Sequence, residues 1–179
     1  MHRHRVIRRN GLTILPDTLT RGLALVICGS AVGARSAALG LYYAGPGNKF
    51  WQMLADARLT PRRLAAREYK TLNRFGIGLT DLVKSQSGAD STIRFHKQAR
   101  DRLRERILEF QPRYLCFNGK RAATEFFGTR AVNYGLQSEL IGSTAIFVAP
   151  STSGAANGFW NPSFWHQLAE LVRAGQPVA

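Results

Sequence analysis

Carboxylates and cysteines are the scarce residues of this chain. Only 11 Asp and Glu stand against 25 Lys and Arg in 179 residues, leaving a formal net charge of +14. A surface so short of negative charge favours a polyanionic partner, through phosphate contacts and counterion release. The same excess also suits a solubilising surface or an arginine-rich proteome. The two cysteines, Cys28 and Cys116, sit in the apolar runs LALVICG and RYLCFNG. Two isolated thiols cannot supply four ligands for a structural zinc or an iron–sulfur cluster, so they fit a core in a reducing compartment. His96 and His166 are expected on helices as surface groups. No Cys–His, Ser–His–Asp or metal-ligand spacing accompanies them. No apolar run nears the roughly 20 residues that span a bilayer, and the basic start MHRHRVIRRNGL is followed by no signal-peptide core. A cytoplasmic protein that binds no membrane, nucleoid-associated if bacterial, is expected. Phosphate-loop signatures, GxxxxGK[ST] and GxGxxG, are absent too.

What is present is a core. Hydrophobic residues make up 45% of the chain, and the length suits one compact domain. Residues 1–12 are expected to form a flexible basic arm, either a plain terminus or an auxiliary phosphate contact; residues 13–179 form the domain. The chain is organised around Leu23 to Trp51: a buried strand (Leu23–Cys28), a small-residue turn (GSAVG, 29–33) and a Gly-rich loop closing at Pro46-Gly47-Asn48 into a helix. Ile14 to Arg21 is a lead-in. A short basic helix is predicted over PRRLAAREYK (61–70), after Thr60-Pro61. Apolar runs predict further strands at Phe75–Thr80, Tyr114–Phe117 and Thr144–Ala149. A long helix is predicted from Ser91 or Thr92 through Phe110, another through Phe127, and a last one from Asn161-Pro162; NYGLQ (133–137) is a turn. Strands alternating with helical segments predict an α/β fold, a three-layer sandwich whose mainly parallel central sheet is flanked by helices.

Three strand ends then point to one region: GSAVG after the first strand, Asp81 after the glycine-punctuated run, and STSGAANG (151–158) after the third. Sites in open α/β sheets form at such carboxyl ends. With Tyr42, Tyr43 and a basic surface, this set suits a planar base. An aromatic face stacks, backbone and small polar groups read the edge, and Lys and Arg hold phosphates. Ordinary packing is the other reading of the tyrosine pair.

In order along the chain, LPD…GLALVICG, GSAVG, AGPGNKFW, GIGLTDLVK, FNGKRA, YGLQ and IGSTAIFVAPSTSG resemble the blocks of the mismatch-specific uracil-DNA glycosylase and thymine-DNA glycosylase family, in the uracil-DNA glycosylase superfamily. The likeness covers about Leu15 to Leu171. It implies that superfamily's fold and an enzyme that flips uracil, or thymine and other deaminated bases, out of DNA. Hydrolysis of the N-glycosidic bond in base excision repair then leaves an abasic site. The partner is uracil- or mismatch-containing DNA; no metal or redox cofactor is required. A monomer is expected.

Residue by residue, the resemblance places Tyr43 where the family stacks an aromatic on the flipped base. It places Asn48 on a structural or pocket-lining Asn, and Gly29, Ser30, Ala31 and Gly33 in the base-binding turn. Ser151, Thr152, Ser153 and Gly154 fall on the phosphate-contacting second motif. Ala155, Ala156 and Asn157 fall where the family wedges into the duplex, and two alanines make a poor wedge. The family's water-activating Asn is replaced by Ala31, which cannot position water. Asp81 is the expected substitute, with Asp90 as second choice; a turn or capping role is the other reading of Asp81. Two further readings stay open: a catalytically weak or silent relative that binds uracil or abasic DNA, and a small enzyme acting on free nucleosides.

Overall fold

The computed structural model describes residues 13–175, the side chain of Phe159 excepted; the expected arm over residues 1–12 lies outside the described residues. Apolar runs became strands. β1 (Leu25–Gly29) and β2 (Ile77–Asp81) are buried at every position. β3 (Tyr114–Asn118) and β5 (Thr144–Ala149) are nearly so. All four run parallel, in the order β2-β1-β3-β5, within a five-stranded sheet. A parallel strand covered on both faces has no polar alternation to show.

β4 (Gly135–Ile141) is the exception, antiparallel to β5 at the sheet edge. It corrects the expected turn at NYGLQ. Only its two end residues are buried, so its sequence carries little apolar pattern. A register irregularity between Leu136 and Leu140 interrupts its pairing, a common way to blunt an edge.

Side chains alternate across the sheet, and the helices cover both faces. One face packs on α2 (Phe50–Asp56), a 3-10 helix at Ala66–Phe75 and α5 (Ser163–Ala174). The other packs on α3 (Lys97–Phe110) and α4 (Lys120–Phe127). The α5 residues Leu168 and Val172 are buried, a burial worth about 1.5–3 kcal/mol each. Trp165, also buried, donates its indole N–H to the Pro150 carbonyl at 3.0 Å. Asn161 accepts the Ser163 N–H at 3.0 Å, but the N-cap of α5 is Pro162, one residue after the expected Asn161.

Other helices depart from expectation. The basic helix predicted over 61–70 forms later, as the 3-10 helix, where Glu68 accepts the Ala65 N–H at 2.8 Å. The predicted long helix from Ser91 is broken: a 3-10 turn spans Asp90–Thr92 and α3 starts only at Lys97. A short helix, α1 (Ala34–Leu39), lies inside the stretch expected as loop.

The lead-in matters most for the site. It lies along β2, the other sheet edge: Ile14 N–H donates to the Lys84 carbonyl (2.9 Å), and Thr18 N–H to the Leu79 carbonyl (3.0 Å). Gly78 permits the approach, since a Cβ there would sit 2.9 Å from the Thr18 carbonyl oxygen. β2 is therefore buried although it is terminal.

Candidate functional site

The register of the parallel strands builds the site. Gly29 pairs with Asp81 across β1–β2, Cys28 pairs with Phe117 across β1–β3, and Asn118 pairs with Ala149 across β3–β5. Asp81, Gly29, Asn118 and Ala149 thus form one row at the carboxyl ends of four strands. By the two-residue period they share the face of Leu25, Ile27 and Leu79, the α2–α5 face.

The row is covered by the loop between α1 and α2. Tyr43 stacks on Phe50 at 3.9 Å between centroids and 23° between planes. The backbone at Tyr43 has φ +51°, a conformation unusual for a non-glycine residue that collects at functional sites. Its buried hydroxyl has no hydrogen-bond partner among the described residues. Burial raises this phenol's pKa, the Asp81 charge raises it further, and the nearby Asn118 amide offsets part of the rise. Gly29 makes room for both acidic groups: a Cβ there would lie 2.8 Å from Asp81 Oδ1 and 3.4 Å from the Tyr43 hydroxyl. Tyr42, by contrast, is buried in the core.

Asp81 closes β2 with its side chain 3% exposed. Burial pushes its carboxyl up to about 6; Lys84 and Arg106 pull it down, and Asp17 pushes it up. Its Oδ2 lies 3.4 Å from Lys84 Nζ. Asp90 approaches the turn from outside: it is exposed, and Ser30 donates its hydroxyl to the Asp90 carboxylate. The two candidate carboxylates therefore flank the first turn, one beneath it and one at its rim.

Not all the expected pocket residues converge. Ala31 packs against the α3–α4 cluster, away from the row. Gly33 is exposed at the start of α1, and a Cβ there would meet no atom within 4 Å. Asn48 accepts the Phe50 N–H at 3.0 Å, so it fixes the entry into α2.

The second turn sits beside this loop. Lys49 N–H donates to the Thr152 carbonyl at 2.8 Å, and Lys49 Nζ bonds the Asn157 side chain. Gly154 packs closely on Gly47: a Cβ would lie 3.3 Å from the Gly47 carbonyl oxygen. Ser151 accepts the Ser153 N–H, and Ser153 the Ala155 N–H, shaping a 3-10 turn over Gly154–Phe159. Ala155 and Asn157 are exposed and Ala156 is half-buried.

Four residues escaped the sequence reading. Asn118 brackets Thr152, accepting its N–H and donating to its hydroxyl, both at 3.0 Å. Lys84, Asp17 and Arg106 surround Asp81. An Asn ending a buried strand before a glycine, and a Lys three residues after a strand-end Asp, were the available signals.

A mainly parallel sheet with a glycine turn, a buried carboxylate and a tyrosine stacked on Phe50 at its strand ends defines an α/β protein whose candidate site lies at the carboxyl edge of the sheet. The chain belongs to the uracil DNA glycosylase superfamily, whose family description matches residues 16–171. It is also similar to a solved Methanosarcina acetivorans protein provisionally described as a uracil DNA glycosylase. The two share 25% identity, with 89% of this chain and 96% of that one covered and a TM-score of 0.60.

Proposed function

We propose that this chain is a monofunctional DNA glycosylase of the mismatch-specific uracil-DNA glycosylase type, excising uracil and related deaminated bases during base excision repair. Superfamily membership and the likeness to the Methanosarcina protein support glycosylase activity in general. The observation that carries the mechanism is the Asp81 carboxylate, buried against Gly29 on the face covered by Tyr43.

The flipped base enters beside Gly29 and stacks on the Tyr43 side of the pocket. The C1′–N bond breaks with its electron pair going to the base, and positive charge develops on the deoxyribose. Asp81, ionised at neutral pH with its carboxyl at about 6, stabilises that charge and orients a water. The water oxygen bonds C1′ and its proton passes to the carboxylate. Asp90 is the second candidate for this role. The turn over Ser151 to Asn157 contacts DNA around the lesion. Its small side chains at Ala155 and Ala156 make opposite-base discrimination weak.

A second reading, a non-catalytic relative that binds uracil or abasic DNA, is favoured by one observation: Asp81 is already paired with Lys84, and Ala31 offers no other polar group. One assay separates them. Asp81→Asn and Asp81→Ala are tested with wild type on oligonucleotides carrying G·U, A·U and single-stranded uracil, followed by alkaline strand cleavage. The enzyme reading expects wild-type cleavage, loss of most of it in both variants, and retained DNA binding. Wild type that binds but never cleaves establishes the silent reading. Full cleavage by both variants removes Asp81 from the chemistry.

A further inference from the structure

Asp81 does not stand alone. Lys84 Nζ lies 2.8 Å from Asp17 Oδ1, 3.4 Å from Asp81 Oδ2 and 3.0 Å from the Tyr42 hydroxyl. Asp17 is held in turn by the Thr80 hydroxyl at 2.8 Å, and Arg106 Nε lies 3.4 Å from its Oδ2. The same guanidinium donates through Nη2 to the Asp81 carbonyl at 3.0 Å. Lys84, Asp17 and Arg106 are 14%, 21% and 20% exposed at their side chains. The cluster is poorly hydrated, so its charges act on each other strongly.

The cluster is asymmetric about the Asp81 carboxylate. Lys84 approaches Oδ2, whereas Oδ1 lies on the Gly29 side, where a Cβ would meet it at 2.8 Å. We propose that Lys84 and Asp17 are positioning residues for Asp81: the Asp17-anchored lysine clamps Oδ2 and leaves Oδ1 turned toward Gly29, where the proposed function places the base. This rests on the glycosylase reading and deepens it. It also explains the course of the lead-in. Thr18 and Ile14 tie that segment to β2 by backbone hydrogen bonds, and this docking delivers Asp17 to Lys84.

The charged and titratable groups around Asp81 come from every element packed on it: Asp17 from the lead-in, Lys84 after β2, Arg106 from α3, Cys28 from β1, and Tyr42 and Tyr43 from the covering loop. Burial holds the cysteine and both tyrosines protonated, so Lys84, Arg106 and Asp17 set the local field. Their signs differ. Removing the lysine charge exposes Asp81 to Asp17 and raises the pH at which it ionises. Removing the Asp17 charge leaves the lysine to Asp81 and lowers that pH.

Two readouts test this in the full chain. The first is the pH dependence of kcat/KM on a uracil oligonucleotide for wild type, Lys84→Met, Lys84→Arg and Asp17→Asn. The acid limb is expected to move up by about one pH unit or more in Lys84→Met, with lost activity recovering as pH rises. It moves down in Asp17→Asn and stays close to wild type in Lys84→Arg. The second is a carbon-13 NMR titration of the Asp81 carboxyl, identified by its absence in Asp81→Asn, whose midpoint follows the same order with or without turnover. Should Lys84→Met fail to fold, the near-isosteric Asp17→Asn and the charge-preserving Lys84→Arg still decide. Midpoints and limbs unmoved in the folded variants, with only melting temperature altered, overturn the positioning role. If Asp81→Asn and Asp81→Ala cleave like wild type, the catalytic reading fails instead, and the NMR midpoints still judge the clamp.

Discussion

At the scale of single residues, Asp81 is a carboxylate kept where folding would not choose to keep it. Burial raises its carboxyl from an ordinary 3.8 to about 6, which makes the charged form unfavourable in the folded state. The sign follows from proton binding. Below about pH 4 both folded and unfolded chains hold the proton, and there is no cost. Between about 4 and 6 the folded chain holds a proton the unfolded chain has lost, so stability falls as pH rises. Above about 6 the full cost, about 3 kcal/mol at about 1.4 kcal/mol per pH unit, applies. Asp81→Asn keeps the shape and removes the charge, and its amide oxygen can still face Lys84. This variant is expected to be more stable than wild type by up to about 3 kcal/mol at pH 7.5 and equal to it near pH 4. Urea unfolding at the two pH values measures the difference. A variant equally or less stable at both would show that Asp81 is an ordinary structural ion pair. Stability gained together with cleavage lost is the pattern of a group retained for function.

At the scale of elements, the sheet's carboxyl edge depends on turns that hold one another. Asn118 at the end of β3 makes both hydrogen bonds to Thr152 after β5, and Thr152 is buried. Asn118→Ala leaves that N–H and hydroxyl unpaired, a cost of about 2–4 kcal/mol. It is also expected to loosen residues 151–157, which hydrogen exchange would register as faster exchange there than in the rest of the sheet. Exchange that rises uniformly would deny the turn any dependence on Asn118. The same elements explain what could be read from the sequence. β1, β2, β3 and β5 were legible because a covered parallel strand is a short apolar run ended here by glycine, aspartate, asparagine or proline. β4 was not, because an edge strand with polar, exposed central residues has no apolar signature. α1 was not, because ARSAAL presents small residues without a stripe. Gly29 and Asp81 were legible as strand ends, and the resemblance singled out Tyr43 from the Tyr42–Tyr43 pair. Asp17, Lys84 and Asn118 were not, because their partners are set by strand register and by the lead-in docking on β2. Neither is specified by any local pattern.

At the scale of the whole molecule, charge decides between a polymer and a small substrate. Asp17, Glu68, Asp81, Asp101, Glu125 and Glu139, six of the eleven carboxylates, are engaged in ion pairs within the fold. Two arginines of α3 are also engaged within the fold: Arg104 pairs with Glu139 at 2.7 Å and Arg106 with Asp17 at 3.4 Å. The net charge of +14 is therefore carried mainly by Lys and Arg outside these contacts, and few carboxylates remain to oppose them. An enzyme of free nucleosides gains nothing from such a surface, whereas a DNA glycosylase gains phosphate contacts and faster encounter. If about six phosphates are contacted, affinity for a uracil-containing duplex should fall with a log–log salt slope near −5. That amounts to about a thousandfold between 50 and 200 mM monovalent salt. Fluorescence anisotropy of a labelled duplex across that range measures the slope. Deoxyuridine cleavage, run in parallel, should stay at background. A slope near zero accompanied by turnover of the free nucleoside would reassign the pocket to a small substrate and leave the basic surface as a solubility device. A steep slope with cleavage confined to DNA ties the strand-end pocket and the charged surface to one polyanionic substrate.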